Sequence, residues 1–268
     1  MEILPDDYQR FVSILEKQSG ILLESNKEYL ISNRLEGLIR EHNLSTFNQF
    51  VNAISLSGNH DLLVRVVEKM TTNETLWFRD VYPFEYLVKE MLPEILQKQS
   101  SANIWSAASS TGQEAYSMTM CIDEIGCLDK VNIYASDLSE AVIKKASSGL
   151  YQKIELNRGL SEVRLQKYFN QVSDTSWQIQ KKLIDRVQFK KVNLLDINIG
   201  SELYDIVFCR NVLIYFSREN KNKVIEGLLK TLKVGGYLVL GASEIMTRNN
   251  FSVEMVKCNP GFAYKKIS

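Results

Sequence analysis

The stretch "MTTNETLWFRD", from Met70 to Asp80, combines threonines, an asparagine and charged residues with two large aromatics. A surface loop rarely needs the aromatics, and a buried strand would not carry the charges. One interpretation is a helix start, in which Thr71 or Thr72 caps a helix that begins near Glu74. The other is a segment that offers its donors and acceptors to a ligand. The rest of the chain has to decide between them.

Small and acidic residues follow two apolar runs that we predict to be strands. After "IWSA" comes "ASSTGQE", in which Gly112 and its small neighbours allow a tight turn and close backbone approach, and Glu114 follows. Only one glycine is present, so the G-x-G-x-x-G pattern of dinucleotide-binding proteins is missing. After "VNIYAS" comes Asp137, whose carboxylate can accept two hydrogen bonds from ribose hydroxyls. The pair of loops suits a nucleoside ligand.

Two later predicted strands also end in polar residues. Asn193 and Leu194 follow "QFKKV", and Arg210 and Asn211 follow "DIVFC", with Tyr215 soon after. In an open α/β sheet, ligands bind outside the carboxyl ends of the strands, where the strand order reverses. Four successive strand ends therefore deliver polar groups suited to an adenosine or amino-acid ligand.

Each of these residues also has a simpler interpretation. Asp137 can cap the next helix, and Asn193 can be a turn residue. Tyr215 can be a core residue whose hydroxyl reaches one partner, and Cys209 suits core packing. Only the coincidence of four such strand ends favours a binding site.

The elements that must position these residues fall into two parts. Residues 1–70 read as helices with apolar residues at 3- and 4-residue spacing, and residues 71–102 as an interdomain segment with a linker helix. From 103 to 268, strands alternate with helices, which predicts a doubly wound α/β sheet. We expect the last helix, "KNKVIEGLLKTLKVGG", to stop at its glycines, and a β-hairpin at 170–190, with "SWQIQ" and "VQF" as its strands.

Composition excludes several classes of protein. The chain has 268 residues, with 32 Lys plus Arg against 32 Asp plus Glu, so we expect no nucleic-acid partner, which would need excess positive charge. Four cysteines, none in a C-x-x-C pair, and two distant histidines predict no metal site. The acidic start does not look like a signal peptide, and no apolar run approaches the roughly 20 residues of a membrane span. We expect a cytoplasmic protein with reduced thiols and no membrane insertion.

Five stretches together resemble one family, the chemotaxis receptor methyltransferases (CheR). They are "TTNETLWFRD", "IWSAASSTGQEAYS", "ASDLSEAVIKKASSGLY", "FCRNVLIYF" and "GYLVLGASE". The resemblance covers nearly the whole chain. It implies a Rossmann-like class I methyltransferase sheet behind a small helical domain, and methyl transfer from S-adenosylmethionine to glutamates of a chemoreceptor's cytoplasmic helical bundle, leaving S-adenosylhomocysteine.

The resemblance also implies roles for single residues. Asn73, Thr75 and Arg79 would touch the methionine part of the cofactor or the reacting centre. Glu114 would bind the amino-acid end, Asp137 the ribose, and Asn193 and Leu194 would border the adenine. Arg210 and Asn211 would line the pocket beside the methionine, and Tyr215 would lie near the transferred methyl. Arg79 and Tyr215 are thus the catalytic candidates.

Binding of a receptor tail is doubtful from the sequence. Many members of the family carry glycines in a small β-subdomain that grips a pentapeptide at the receptor's tail, whereas "NQVSDTSWQIQKKLIDRVQF" contains none. We expect a monomer. Two other functions remain open: a methyltransferase of another protein, small molecule or nucleic acid, and a cofactor-binding signalling module without catalysis.

A basic stripe on the second helix offers a docking hypothesis. Lys27 and Arg34 are seven positions apart and share a face, with Arg40 to one side. Such a stripe can steer and dock an acidic helical bundle even in a chain of zero net charge. The alternative is that these cations are simply solvated.

Overall fold

The computed structural model describes residues 1–56, 58–246 and 251–268. These residues group into two compact units, one of 1–72 with 215–221 and the other of 73–214 with 222–268. The sequence pattern gave no sign that Tyr215–Lys221 would group with the N-terminal helices.

The first unit is helical. Its helices are α1 (Pro5–Ser19), α2 (Glu28–Glu41), α3 (Phe47–Ser55) and α4 (His60–Met70). α1 begins at Pro5, and Gly20 follows its last residue as the C-cap, with a φ of 80° in the left-handed conformation that glycine adopts without strain. Phe11, Phe47 and Phe50 fill the core, with ring centroids 5.6–6.5 Å apart. The helical spacing read from the sequence is therefore the spacing of the buried face.

Arg34 does not extend from α2 as a free cation. Its Nη1 donates to the carbonyl oxygens of Met70 (2.6 Å) and Thr71 (3.2 Å), and its Nη2 donates to Thr72 Oγ1 (3.1 Å). The carbonyl oxygens of Met70 and Thr71 lie at the end of α4, where carbonyl groups have no helical hydrogen-bond partner. Arg34 thus closes the end of α4, and Arg40 pairs with Glu36 on its own helix. Arg34, one of the two cations of the stripe, is therefore not simply solvated.

The second unit is an α/β domain. Its helices are α5 (Tyr82–Tyr86), α6 (Leu92–Lys98), α7 (Gln113–Glu124), α8 (Glu140–Ser148), α9 (Lys153–Leu156), α10 (Glu162–Tyr168), α11 (Lys181–Ile184) and α12 (Arg218–Thr231), the last beginning in the first unit. A π-helical turn, Leu87–Met91, joins α5 to α6. Its strands are β1 (Ala102–Ala107), β2 (Val131–Asp137), β3 (Leu150–Gln152), β4 (Phe169–Gln171), β5 (Ser176–Ile179), β6 (Val187–Lys191), β7 (Tyr204–Cys209), β8 (Leu232–Leu240), β9 (Val253–Cys258) and β10 (Gly261–Lys266).

Among the described residues, seven strands form one sheet in the order β6-β2-β1-β7-β8-β10-β9, and three form a small antiparallel sheet, β3-β5-β4. The strands from β6 to β8 are parallel, and β10 and β9 complete the large sheet as antiparallel strands. β7 is buried along its whole length, as its continuous apolar run predicted. The predicted α/β class is confirmed, with a mixed rather than wholly parallel sheet.

Three details of the sequence-based prediction are wrong. α12 ends at Thr231, and the glycines after it lie inside β8, where a Cβ on Gly236 would come within 2.8 Å of the Asp205 carbonyl oxygen. The "VQF" run is not a hairpin strand but part of β6, paired in parallel with β2. β9 was not predicted. It is an edge strand that, among the described strands, pairs only with β10, and half of its residues are exposed, so it lacks a strong apolar pattern.

A polar cluster ties α6 to the last strands of the large sheet. Lys265 Nζ lies 2.7 Å from Glu94 Oε1, Lys98 Nζ is also 2.7 Å from it, and the Tyr237 hydroxyl donates to the same carboxylate. The hydrogen bond from Lys265 is the largest of the causes that lower the pKa of Glu94 to about 2. Glu94 therefore stays ionised through the physiological pH range.

Within the described residues, no helix is long and apolar enough to cross a membrane, and no cluster of His, Cys, Asp or Glu could hold a metal ion. Cys121, Cys209 and Cys258 are buried free thiols, and Cys127 is half-buried.

Candidate active site

The strand order brings three of the predicted loops to one place. β1 lies between β2 and β7, so the chain leaves β1 towards β2 on one side and returns to β7 on the other. This is the point where strand order reverses in the α/β unit. The loops after β1, β2 and β7 carry Gly112, Asp137 and Arg210, and they meet at the carboxyl edge of the sheet.

The loop after β1 is held in an unusual backbone conformation. The amides of Ala108 and Ser109 both donate to the Ser136 carbonyl oxygen, at 3.0 and 2.8 Å. Ala108 has a φ of 113° and Ser110 a φ of 49°, both in a region that costs non-glycine residues energy. At Gly112, with φ 92°, a Cβ would lie 2.9 Å from the Ala146 Cβ, so only glycine fits there. The sequence had suggested this tight turn before α7.

Asp137 ends β2 and joins that strand to the loop after β1. Its Oδ2 accepts a hydrogen bond from the Ser110 amide (2.9 Å), and its Oδ1 accepts one from the Ser139 amide (3.0 Å). Burial raises the pKa of the Asp137 carboxyl, and these backbone amides oppose that rise. The helix cap of α8 is Ser139, whose side chain accepts from the Val142 amide, so the capping interpretation of Asp137 is wrong.

Arg210 is the centre of a buried polar network. Its side chain is 1% exposed, and its Nη1 donates to Glu114 Oε2 at 2.8 Å. Its Nη2 donates to the Arg79 carbonyl oxygen (2.8 Å) and to Asp80 Oδ2 (2.7 Å). Glu114 Oε1 accepts from the Ser106 hydroxyl at 2.7 Å. Arg210 therefore joins β7, the start of α7 and residues 79–80 into one assembly.

Asp80 is a site residue that the sequence interpretation missed. It lay in the opening stretch, next to Arg79, and its acidic type was the only available signal. Its partner Arg210 is 130 positions away along the chain, so no local pattern could have linked the two.

The segment from Asn73 to Val81 is not helical. The first described helix after α4 begins at Tyr82, and the Thr71 hydroxyl donates back to the Glu68 carbonyl at the end of α4, so the helix-start interpretation is wrong. Phe78, Asp80 and Val81 have φ values of 50°, 66° and 52°. Such a φ is a genuine outlier for a β-branched residue like Val81, and strain of this kind concentrates at functional sites.

Hydrogen bonds to backbone groups hold this segment against other parts of the second unit, to which it belongs. The Ser110 hydroxyl donates to the Asn73 carbonyl oxygen at 2.8 Å. The Trp77 amide donates to the Arg158 carbonyl oxygen, and the Trp77 indole Nε1 donates to the Glu155 carbonyl oxygen, both at 3.1 Å. The aromatics and the polar residues of the opening stretch thus have separate roles, because Trp77 anchors the segment and its neighbours face the site loops.

The remaining predicted residues differ in how the structure places them. Arg79 and Thr75 are half-buried, and neither side chain forms a hydrogen bond with any residue that the structure describes. Asn193 Oδ1 accepts from the Leu195 amide at 3.0 Å, which is the turn role left open for it, and Leu194 beside it is buried. Tyr215 groups with the first unit, where its carbonyl oxygen accepts from the Leu22 amide at 2.8 Å.

The loop after β7 has an acidic partner that the sequence interpretation also missed. Asn211 has a φ of 58°, and its amide donates to Glu244 Oε2 at 2.7 Å. Glu244 lies in "GASE" after β8, a stretch that the sequence singled out without giving this residue a role.

The chemistry of this edge fits a nucleoside with a charged amino-acid end. In the described part of the chain, three buried side-chain N or O atoms lack a hydrogen-bond partner, and two of them, Ser109 Oγ and Arg210 Nε, lie at this edge. Asp137 and Glu114 carry carboxylates, a type of group that accepts hydrogen bonds from hydroxyl or ammonium groups, and Leu194 is apolar and buried. These donor and acceptor types suit S-adenosylmethionine.

Comparison with known proteins gives the same result over the whole chain. Residues 73–262 match the family model "CheR methyltransferase, SAM binding domain", and residues 6–71 match "CheR methyltransferase, all-alpha domain". Chemotaxis protein methyltransferase 1 of Vibrio cholerae is 42% identical, with 98% of each chain covered. Chemotaxis protein methyltransferase 1 of Pseudomonas aeruginosa is 43% identical over 97% of each chain, and the Salmonella typhimurium chemotaxis protein methyltransferase is 30% identical over 88% of this chain and 83% of its own. The carboxyl-edge site and these full-length similarities agree, and the chain belongs to the CheR family of S-adenosylmethionine-dependent chemotaxis methyltransferases.

Proposed function

We propose that this chain transfers the methyl group of S-adenosylmethionine to glutamate side chains in the cytoplasmic domains of chemoreceptors, forming glutamate methyl esters. The observation that carries the proposal is the contrast between two arginines at one edge of the sheet. Arg210 is buried and ion-paired with Asp80 and Glu114, whereas the half-buried Arg79 guanidinium forms no hydrogen bond within the described residues. Arg79 therefore has its donors available for a substrate carboxylate.

The reaction asks little acid or base chemistry of the protein. S-adenosylmethionine supplies an electrophilic methyl group on a sulfonium. A glutamate carboxylate is already ionised at neutral pH, so the chain needs no general base. One carboxylate oxygen forms the new bond to the methyl carbon while the carbon–sulfur bond breaks, and its electron pair stays on sulfur. Catalysis then depends on positioning, which can be worth about 7–11 kcal/mol.

Each site residue has a positioning role in this proposal. Asp137 holds the ribose hydroxyls, and Glu114 the ammonium end of the cofactor. Asn193, Leu194 and Asn211 border the base and the methionine, together with Asn73 and Thr75 from the strained segment. Arg79 orients the substrate carboxylate through paired N–H bonds. Tyr215 is proposed to act near the transferred methyl. Because the free thiols suit a reducing compartment, we place the enzyme in the cytoplasm.

The test is transfer of labelled methyl to purified receptor cytoplasmic domains, scored as base-labile ester. For Arg79→Ala we expect kcat to fall by about 100-fold with folding intact, since a reactant misplaced by about 1 Å loses roughly that factor. Arg79→Lys should recover part of the rate, because lysine keeps the charge but not the planar fork. The matched control is Arg158→Ala, which removes an exposed arginine that pairs with Glu74 in the same segment.

Two results would count against the proposal. If the wild-type chain puts no base-labile methyl on receptor glutamates, the substrate is wrong. If Arg79→Ala methylates at the wild-type rate, the catalytic role of Arg79 is wrong.

A receptor shortened at its tail should be methylated as fast as the full-length one. The hairpin of the small sheet β3-β5-β4 has no glycine, unlike the tail-binding subdomain of many family members, so we expect no binding of the receptor tail.

A further inference from the structure

Glu244 is a buried carboxylate that the proposed mechanism does not use. It follows β8 and is 8% exposed. Its Oε2 accepts hydrogen bonds from the amides of Asn211 (2.7 Å) and Gly241 (2.8 Å), and its Oε1 accepts one from the Ile214 amide (3.3 Å). Among the described residues, no lysine or arginine forms an ion pair with it. Backbone amides from two neighbouring loops therefore hold this charge.

These amides form an anion-binding concavity of the kind that turns with left-handed residues create. Asn211, whose amide donates to the carboxylate, has a φ of 58° in this left-handed region. A Cβ on Gly241 would lie 2.6 Å from Glu244 Oε2 and 2.9 Å from the backbone nitrogen of Asn211, so the position requires glycine. The chain thus builds a site for an anion and fills it with its own side chain.

The loop that Glu244 holds is the one that carries the site residues after β7. Asn211 and Ile214 bracket this loop, Arg210 precedes it directly, and Tyr215 follows it. We propose that Glu244 is a positioning residue that fixes the backbone of the 211–214 loop for cofactor binding. This inference rests on the proposed function for the identity of the cofactor. It gives the "GASE" stretch a physical role, which is to clamp the loops after β7 and β8 together through a carboxylate.

The experiment measures binding of S-adenosylhomocysteine by calorimetry, without receptor. Glu244→Ala empties the concavity, so we expect the affinity to fall by about 10-fold or more, by analogy with the loss seen when residues that orient the ligands of a metal site are removed. Sodium formate should restore most of the affinity, because its carboxylate fits the vacated amides. Formamide and sodium chloride at the same concentration should not. Unchanged affinity in the alanine variant, or no recovery with formate in a folded variant, would overturn the proposal.

Asp205→Ala is the matched control. Asp205 is also a buried carboxylate, at the other end of β7, where it accepts from the Asn103 amide (2.8 Å) and Gln99 Nε2 (2.8 Å) and pairs with Lys233 (2.9 Å). Its loss should lower the melting temperature without changing affinity for S-adenosylhomocysteine and without a response to formate. If Asp205→Ala weakens affinity as much as Glu244→Ala does, the effect is general destabilisation and the clamp is refuted.

A second variant covers failure of the alanine variant to fold. Glu244→Gln keeps the volume and one acceptor oxygen but turns an NH₂ group towards an amide donor. Its affinity should fall several-fold, less than that of the alanine variant, and formate should not restore it; unchanged affinity would overturn the proposal. A wild-type chain that binds S-adenosylhomocysteine but methylates no receptor would refute the proposed function and leave the clamp standing.

Discussion

Replacing Arg210 with methionine tests the buried network directly. The Arg210 side chain is 1% exposed, and the carboxylates that it pairs with are 13% (Glu114) and 32% (Asp80) exposed. Removing one partner of a buried ion pair costs about 3–5 kcal/mol, because a charge is left without compensation. Since water screens the third-exposed Asp80, we expect the lower end, about 3 kcal/mol.

The assay is equilibrium unfolding in urea and by heat, followed by circular dichroism. A loss of about 3 kcal/mol corresponds to a fall in melting temperature of roughly 6–12 °C for a chain of this size. Hydrogen exchange should also quicken across residues 73–81, because Arg210 holds the Arg79 carbonyl oxygen and the Asp80 carboxylate. Because residues 73–81 become less ordered in the variant, its affinity for S-adenosylhomocysteine should also fall.

A double-mutant cycle makes the reasoning refutable. Glu114→Gln removes the charge that Arg210→Met leaves unpaired, so the double variant should be more stable than the sum of the single losses predicts, by about 1–3 kcal/mol. Arg210→Lys should not rescue, since one ammonium group cannot span both carboxylates and the carbonyl. If Arg210→Met changes stability by less than about 0.5 kcal/mol, as a surface substitution would, or if the two losses simply add, the network does not stabilise the site as argued.

Three further predictions follow from particular groups. Asp137→Ala should weaken affinity for S-adenosylhomocysteine by about 1.5–3 kcal/mol without unfolding the protein. Because burial raises the pKa of Asp137, the affinity of the wild-type chain should decline on acidification at a higher pH than an ordinary aspartate would give. Calorimetry from neutral to acid pH checks both, and the affinity of the alanine variant should not change over that decline. The pKa of Glu94 is lowered to about 2, chiefly by Lys265, so the stability that Glu94 contributes is present above its pKa in the unfolded chain and is lost as pH falls through its pKa in the folded chain. Glu94→Gln should therefore lower the free energy of unfolding by about 1–2 kcal/mol at pH 7, after allowance for solvent screening. Urea unfolding should show the difference between wild type and variant vanishing towards pH 2. Gly159→Ala should lower stability by more than about 1 kcal/mol, because the φ of Gly159 is 98° and a Cβ there would lie 2.2 Å from the Trp77 carbonyl oxygen. Gly37→Ala, in open space on α2, should instead stabilise the protein by up to about 1 kcal/mol. Equal melting temperatures for the two variants would contradict this prediction.

Much of the fold followed from sequence because its signals are local. Helical spacing in residues 1–70 and the continuous apolar run of β7 reflect burial that each element carries in its own sequence. Parallel strands also present their carboxyl ends at one edge, so residues after successive strands could be assigned to one site from their positions along the chain. The motif resemblance then named the cofactor and the reaction, and the family comparisons confirm that identification.

Tertiary structure alone decided which groups pair with which. Arg210 meets Glu114 and Asp80 across 96 and 130 positions of sequence, and Glu244 meets Asn211 across 33. Such pairs depend on the order of strands in the sheet and on strained backbone at residues such as Val81 and Ala108, neither of which leaves a periodic trace in the chain. The sequence determined that a polar site forms at the carboxyl edge. Packing decided that Arg210 is a buried ion-paired cation and that Asp137 orients a loop instead of capping a helix. It also decided that Glu244 fills an anion site of backbone amides. Each outcome depends on contacts between residues far apart along the chain.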